Sequence, residues 1–216
     1  MQVKTKRAAR PRTQPGRRPG NDTAARIVLA ARELLMTEGY AQFSMRNVAA
    51  RAGLHLANVQ YYYKTREDLV KALLDDTGER YLSSYEALRS NAPADREARF
   101  KAVVEFNLKD IATTETRRFF IQLWALLTEI DGRAGHLMQD LYAIDIQQLS
   151  DCIADLVPDT DAAEVRRRAS ILAAMIEGMV VVRGAHSRNP AELRKLMARA
   201  QGMAMQIALG LVPDVN

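Results

Sequence analysis

The chain has 216 residues, 48% of them hydrophobic and 6% aromatic, and a net charge of +5. That length gives one or two domains with a substantial core, and the shortage of aromatics suits helices packed on helices. A single cysteine, Cys152, excludes an internal disulfide and a thiolate metal cage, which fits a reducing cytoplasm.

The charge is unevenly placed. Residues 1–20 hold seven basic and no acidic residues, whereas residues 70–216 hold 18 basic and 21 acidic ones. A basic end on a mildly acidic body is an electrostatic footprint for a polyanion. No apolar run follows these charges, so the stretch does not read as a secretory signal. Pro11, Pro15 and Pro19 would break the amphipathic helix of a mitochondrial presequence. With nothing to bury, residues 1–20 are expected to be a disordered basic arm, with Arg17 and Arg18 nearest the first helix. Such an arm can track phosphates or enter a minor groove; it can also simply be a solubilising end.

The first helix is predicted from about Asp22 to Thr37, with Asn21 as its N-cap and Ile27, Ala30, Ala31, Leu34 and Leu35 as its apolar stripe. Gly39 is placed to end it. A second helix starts at Ser44, a good N-cap, and turns Met45, Val48, Ala49 and Ala52 inward. Gly53 permits a sharp turn, and a short third helix runs from about Leu56 to Tyr61. Thr65-Arg66-Glu67-Asp68 opens a fourth helix as a variant capping box, which runs to about Arg89. Five more helices are predicted at about 94–113, 116–129, 133–156, 160–187 and 190–209. Prolines 93, 158 and 190 fall between these patterns and Pro213 after the last. No strand pattern stands out, and no segment reaches the ~18 uninterrupted apolar residues of a membrane span.

Two short helices crossing steeply over a glycine turn form a helix-turn-helix, which requires small residues at the crossing. Ala49, Ala52 and Gly53 supply them, and Leu54 and Val59 can close the core beneath. His55, Leu56, Asn58, Gln60 and Tyr61 then face outward on a helix short enough to enter a major groove.

The helix 1 pattern ARIVLAARELLMTEGY, the segment FSMRNVAARAGL and the run YYYKTREDL together resemble the DNA-binding domain of the TetR/AcrR family of bacterial transcription regulators. The resemblance covers residues 22–69. It implies an all-α chain of about nine helices: a helix-turn-helix domain at residues 21–69, then a helical ligand-binding and dimerisation domain at residues 70–216. It implies that Ser44, Met45 and Arg46 abut the DNA backbone, and that Leu56, Ala57, Asn58 and Gln60 face bases and backbone. Tyr61 and Tyr62 would reach phosphates, and Lys64, Thr65 and Arg66 would form the next phosphate clamp. Two residues depart from the family pattern: Gln60 stands where tyrosine is usual, and His55 where a small hydroxyl residue is usual. Gln60 and Asn58 can each pair bidentately with adenine and Leu56 can pack on a thymine methyl, which hints at an A·T-containing half-site. His55 sits at an N-cap and is expected to cap or to touch phosphate. Tyr63 is expected in the core, and Arg51 is expected to cap the second helix electrostatically and not to read a base.

For the body, the eighth and ninth helices are the expected dimer surface, through Ile176, Val180, Gly184, Met197, Met203 and Ile207. A two-fold dimer would match a palindromic operator. Phe106, Phe119, Phe120, Trp124, Met138 and Tyr142 are candidate liners of an apolar ligand pocket, with Met175 and Met179 facing them; such a stripe is also what ordinary core looks like. In the resembled family a small molecule shifts the spacing of the two DNA-reading heads. Arg166-Arg167-Arg168 reads as a solvated face or as partners for Asp159, Asp161 and Glu164. No phosphate-cradling glycine loop, no metal-spaced histidine pair and no nucleophile elbow is present, so an enzyme, a cofactor and a metal are not expected. His136 and His186 are isolated.

The expectation is a cytoplasmic homodimeric repressor that leaves its operator on binding a small apolar or amphipathic ligand. Its rivals are an activator or architectural DNA-binding protein without effector, and a helical protein-interaction module.

Overall fold

The computed structural model describes residues 19–130, 134–182 and 189–212. All regular structure among them is helical: α1 (Pro19–Glu38), a 3-10 turn (Tyr40–Gln42), α2 (Met45–Arg51), α3 (Leu56–Tyr62), α4 (Arg66–Ser90), α5 (Arg96–Ile111), α6 (Thr114–Glu129), α7 (Ala134–Leu156), α8 (Ala162–Val182) and α9 (Pro190–Leu209). No described helix is long and apolar enough to cross a membrane.

Local chemistry sets the helix starts. Ser44 Oγ accepts from Asn47 N at 3.2 Å, and Thr65 and Asp68 exchange both capping-box bonds at 3.0 Å. Asp95, Thr113 and Asn189 cap α5, α6 and α9 with their side chains. α1 begins three residues before the sequence reading places it, at Pro19, where a proline suits the first helical position; Asn21 is therefore inside the first turn and not at the cap. α6 likewise begins two residues early, because Thr113 caps it.

The core has two lobes. The first joins α1, α2, α3 and the first half of α4 to α6, through Ile27, Leu34, Val48, Val59, Leu69, Leu73, Leu123 and Leu126. The second joins the rest of α4 to α5, α7, α8 and α9, through Tyr85, Phe100, Val104, Leu149, Leu172 and Ala204. α4 runs unbroken through residues 69 and 70 and contributes to both. The arginine cluster of α8 is locally paired: Glu164 binds Arg167 and Arg168, each at 2.9 Å, and Arg168 also donates to Ala208 O of α9.

Candidate nucleic-acid interface and the clefts behind it

α2 and α3 meet at a turn that only glycine enters easily. Gly53 has φ +63°, and Gly53 N and Leu54 N close the turn on Ala50 O and Ala49 O. Val48, Ala49, Ala52 and Val59 are buried under the crossing. The opposite face is left to solvent, with Arg46, His55, Ala57, Asn58, Gln60, Tyr61, Lys64 and Thr65 all exposed. Tyr61 is 81% exposed and packs edge-to-face on Tyr62 at 5.2 Å between ring centres. No core contact explains so exposed an aromatic, and its phenol is free to reach a phosphate. The main-chain N–H groups of Met45 and Arg46 lie at a helix start, where no carbonyl of the helix can accept from them.

Not every expected contact residue is equally available. Ser44, Met45, Leu56, Tyr62 and Arg66 are half-buried, and Met45, Leu56 and Tyr62 pack against the first core lobe. Leu56 is thus partly spent on packing. His55 occupies the N-cap of α3 but its side chain makes no capping bond, so capping is not its role. Arg66 pairs with Glu129 of α6 at 3.1 Å, lies over the Phe43 ring at 6.0 Å and leaves its Nε buried without a partner. Arg51, in the last turn of α2, pairs with Glu38. Tyr63 OH donates to Ala24 O at 3.4 Å, and burial raises its pKa. Arg17 and Arg18 lie outside the described residues.

Two of the clefts in the described residues take up most of the expected pocket residues. One of about 520 Å³ lies between α6, α7 and α8, lined by Trp124, Met138, Tyr142, Ile146, Ala173, Ala174, Glu177 and Val181 among others. A smaller one of about 150 Å³ is lined by Arg32, Tyr81, Phe106, Asp110, Phe119 and Phe120. The expected pocket residues therefore divide between the two. Met179 is buried in the second lobe and Met175 packs against that lobe, so neither lines a cleft.

The dimer residues need a similar correction. Ile176 and Val180 are 3% and 0% exposed and serve the chain's own core. The apolar surface of α8 that remains open is on the opposite side of the helix, at Ile171, Ala174, Gly178, Val181 and Val182. Met203 is exposed on α9, whereas Met197 and Ile207 are half-buried against the second lobe. Gly184 lies outside the described residues.

Comparison with known proteins decides the family. Residues 27–73 match the description of bacterial regulatory proteins of the tetR family. The chain is 31% identical over 163 residues to a Xanthobacter autotrophicus protein named as an uncharacterized HTH-type transcriptional regulator in the dhlA 5' region, covering 74% of this chain and 79% of that protein. The chain belongs to the TetR family. A TetR transcription regulator from Haloarcula marismortui shares the fold, with a TM-score of 0.69 at 22% identity over 88% of this chain and 98% of its own. So does FadR of Bacillus subtilis, solved in complex with stearoyl-CoA, with a TM-score of 0.67 at 15% identity over 83% and 96%. This TetR-family chain is a DNA-binding transcriptional regulator, and its helix-turn-helix falls inside the matched span.

Three features of this TetR-family chain escaped the sequence reading. Arg32 lies between Val28 and Leu35 on the buried stripe of α1, with its guanidinium 4.0 Å above the Phe119 ring and bonded to Thr77 Oγ1 at 2.6 Å. Burial lowers its pKa. Gln122 of α6 accepts from Tyr40 N at 2.9 Å. Asp145 and Glu177 sit on the inward stripes of α7 and α8, where burial raises their pKa values to about 6 and about 7. The available signal was a charged residue three or four places from buried apolar ones, as Asp145 stands four from both Leu141 and Leu149.

Proposed function

We propose that the protein is a homodimeric repressor of an inverted-repeat operator, released when a small molecule occupies the α6–α8 cleft. The observation that carries this reading is the double engagement of α6. One side of the helix lines the clefts with Phe120 and Trp124. The same helix grips the DNA-facing head through Gln122 to Tyr40 N, Glu129 to Arg66, and Phe119 under Arg32. A ligand that prefers one position of α6 would shift the head with it; without such differential affinity it would shift nothing. The fatty-acyl complex of FadR supports a fold able to hold a small molecule.

Dimerisation is assigned to the open faces of α8 and α9. Ile171, Val181, Val182 and Met203 are each more than half exposed, and a face of this kind is normally covered in a stable assembly. Pairing through it would also close the mouth of the larger cleft, whose rim includes Ser170, Ala174, Gly178 and Val181. In each head the exposed side of α3 would enter the major groove, with Arg46, Tyr61, Lys64 and Thr65 on phosphates and Asn58 and Gln60 at base edges. Residues 1–20 would add phosphate contacts.

The test combines mass and binding. Light scattering should give twice the 24.2 kDa chain mass. Val181→Glu should give a monomer that loses operator binding while retaining its helical signal. A wild-type monomer that binds an inverted repeat tightly would reject the dimer.

A further inference from the structure

The acids inside the second lobe have chemistry that DNA binding does not use. Asp110, Asp145 and Glu177 come from α5, α7 and α8, and each meets a tyrosine. Tyr81 OH donates to Asp110 Oδ2 at 2.5 Å, Tyr85 OH lies 2.9 Å from Asp145 Oδ1, and Tyr142 OH donates to Glu177 Oε2 at 3.1 Å. Among the described residues no lysine or arginine forms an ion pair with any of the three.

The hydrogen-bond inventory is short of protons. Tyr85 OH has one proton and two acceptors, Asn107 Oδ1 at 2.7 Å and Asp145 Oδ1. Tyr142 OH accepts from Trp124 Nε1 at 2.8 Å and donates its own hydrogen bond to Glu177, so that chain is directed toward a carboxylate. Glu177 faces the 520 Å³ cleft, whose surroundings are the Trp124 indole, Met138, Ile146 and Val181. Once ionised, a largely buried carboxylate that has a phenol donor but no counter-charge is unfavourable until a cation arrives. The Trp124 indole and the Tyr142 phenol line the cleft beside that charge, and rings of this kind attract organic cations. The cleft volume is in the range of small-molecule sites.

We propose that the α6–α8 cleft takes an organic cation, a quaternary or protonated amine on an aromatic or alkyl body, with its charge at Glu177 and its body against Trp124, Tyr142 and Met138. Asp145, one turn along α7 from Tyr142, adds to the field. This rests on the reading of the cleft as the effector site and names the ligand class of that site. Carboxylates and phosphates are disfavoured there by the same uncompensated charge.

Trp124 is the chain's single tryptophan, so its emission reports on the cleft directly. The full-length protein would be titrated with benzyltrimethylammonium, its neutral carbon isostere neopentylbenzene, and the anion 4-phenylbutyrate at pH 8. The cation should bind about tenfold or more tighter than the isostere. Glu177→Gln retains an acceptor for Tyr142; it should erase that preference without weakening neopentylbenzene binding, which a merely structural role would not do. Preferred binding of the isostere or the anion, or a cation preference untouched by Glu177→Gln, would overturn the proposal and leave the effector reading standing. Binding of none of the three would overturn both. Selective cation binding that leaves a preformed protein–DNA complex intact would support the cation site and overturn its role as effector site.

Discussion

The main-chain N–H of Tyr40 donates to Oε1 of Gln122 at 2.9 Å, across 82 positions of sequence. This bond ties the turn ahead of the DNA-facing helices to the middle of α6. The turn leaves little room: Gly39, at φ +82°, would place a Cβ 2.9 Å from the same Gln122 oxygen.

Both residues can be tested together. Gln122→Ala should cost about 1–2 kcal/mol by leaving a partly buried N–H unpaired. Gly39→Ala should cost about 1–2 kcal/mol through its positive φ together with the clash. In the double variant the clash disappears, so the two costs should sum to less than their separate values. Urea unfolding of the four proteins measures this, and strict additivity would mean that the two sites do not touch.

Exposure on the outer face of α2 and α3 separates binding from folding. Tyr61→Ala and Arg46→Ala remove exposed side chains, so unfolding free energies should stay within about 0.5 kcal/mol of wild type. DNA affinity should fall, and Arg46→Ala should reduce the slope of log K against log salt by about 1. Unchanged DNA affinity in both variants would remove this face from the interface.

The basic arm should act through charge. Deleting residues 2–18 removes all seven of the basic residues in that stretch. Affinity for any duplex should drop and its salt dependence should flatten. A salt slope equal to that of the full chain would show that the arm does not meet DNA.

The internal carboxyls give stability a pH dependence opposite to that of a salt-bridged acid. Glu177 and Asp145 titrate at about 7 and about 6 in the fold, against 4.5 and 3.8 without it. Between about pH 4 and pH 7 the folded chain therefore holds more protons than the unfolded one, and stability contributed by these groups is lost as pH rises through that window. Glu177→Gln should leave the protein more stable than wild type by roughly 1–3 kcal/mol at pH 8 and nearly equal to it at pH 4.5. Chemical denaturation at the two pH values checks this; an offset that is the same at both would refute the buried-acid account.

Much of this architecture is legible in the sequence because its determinants are local. Ser44, Thr65 with Asp68, and Gly53 act within three residues of themselves, so caps and turn follow from spacing alone. The outward face of α3 is legible for the same reason. Orientation around α8 is less so: Ile176 and Val180 share an apolar surface broad enough to serve either core or partner, and only packing against α5, α7 and α9 assigns them inward. Met175 and Met179 went the same way. Gln122 to Tyr40, Arg32 on Phe119 and the Tyr142–Glu177 pair are contacts between residues far apart in sequence, and hydrophobic periodicity carries no trace of a polar partner across such distances.

The central claim is that the face made by α2 and α3 reads a specific DNA sequence. Duplexes of random sequence would be selected on the full-length protein, and the enriched species compared with scrambled DNA by fluorescence anisotropy at ~0.15 M salt. The account predicts an enriched inverted repeat, bound at least about a thousandfold more tightly than scrambled DNA, with the preference lost in Tyr61→Ala. Selection that enriches no motif, with equal and salt-sensitive binding to every duplex, would contradict it.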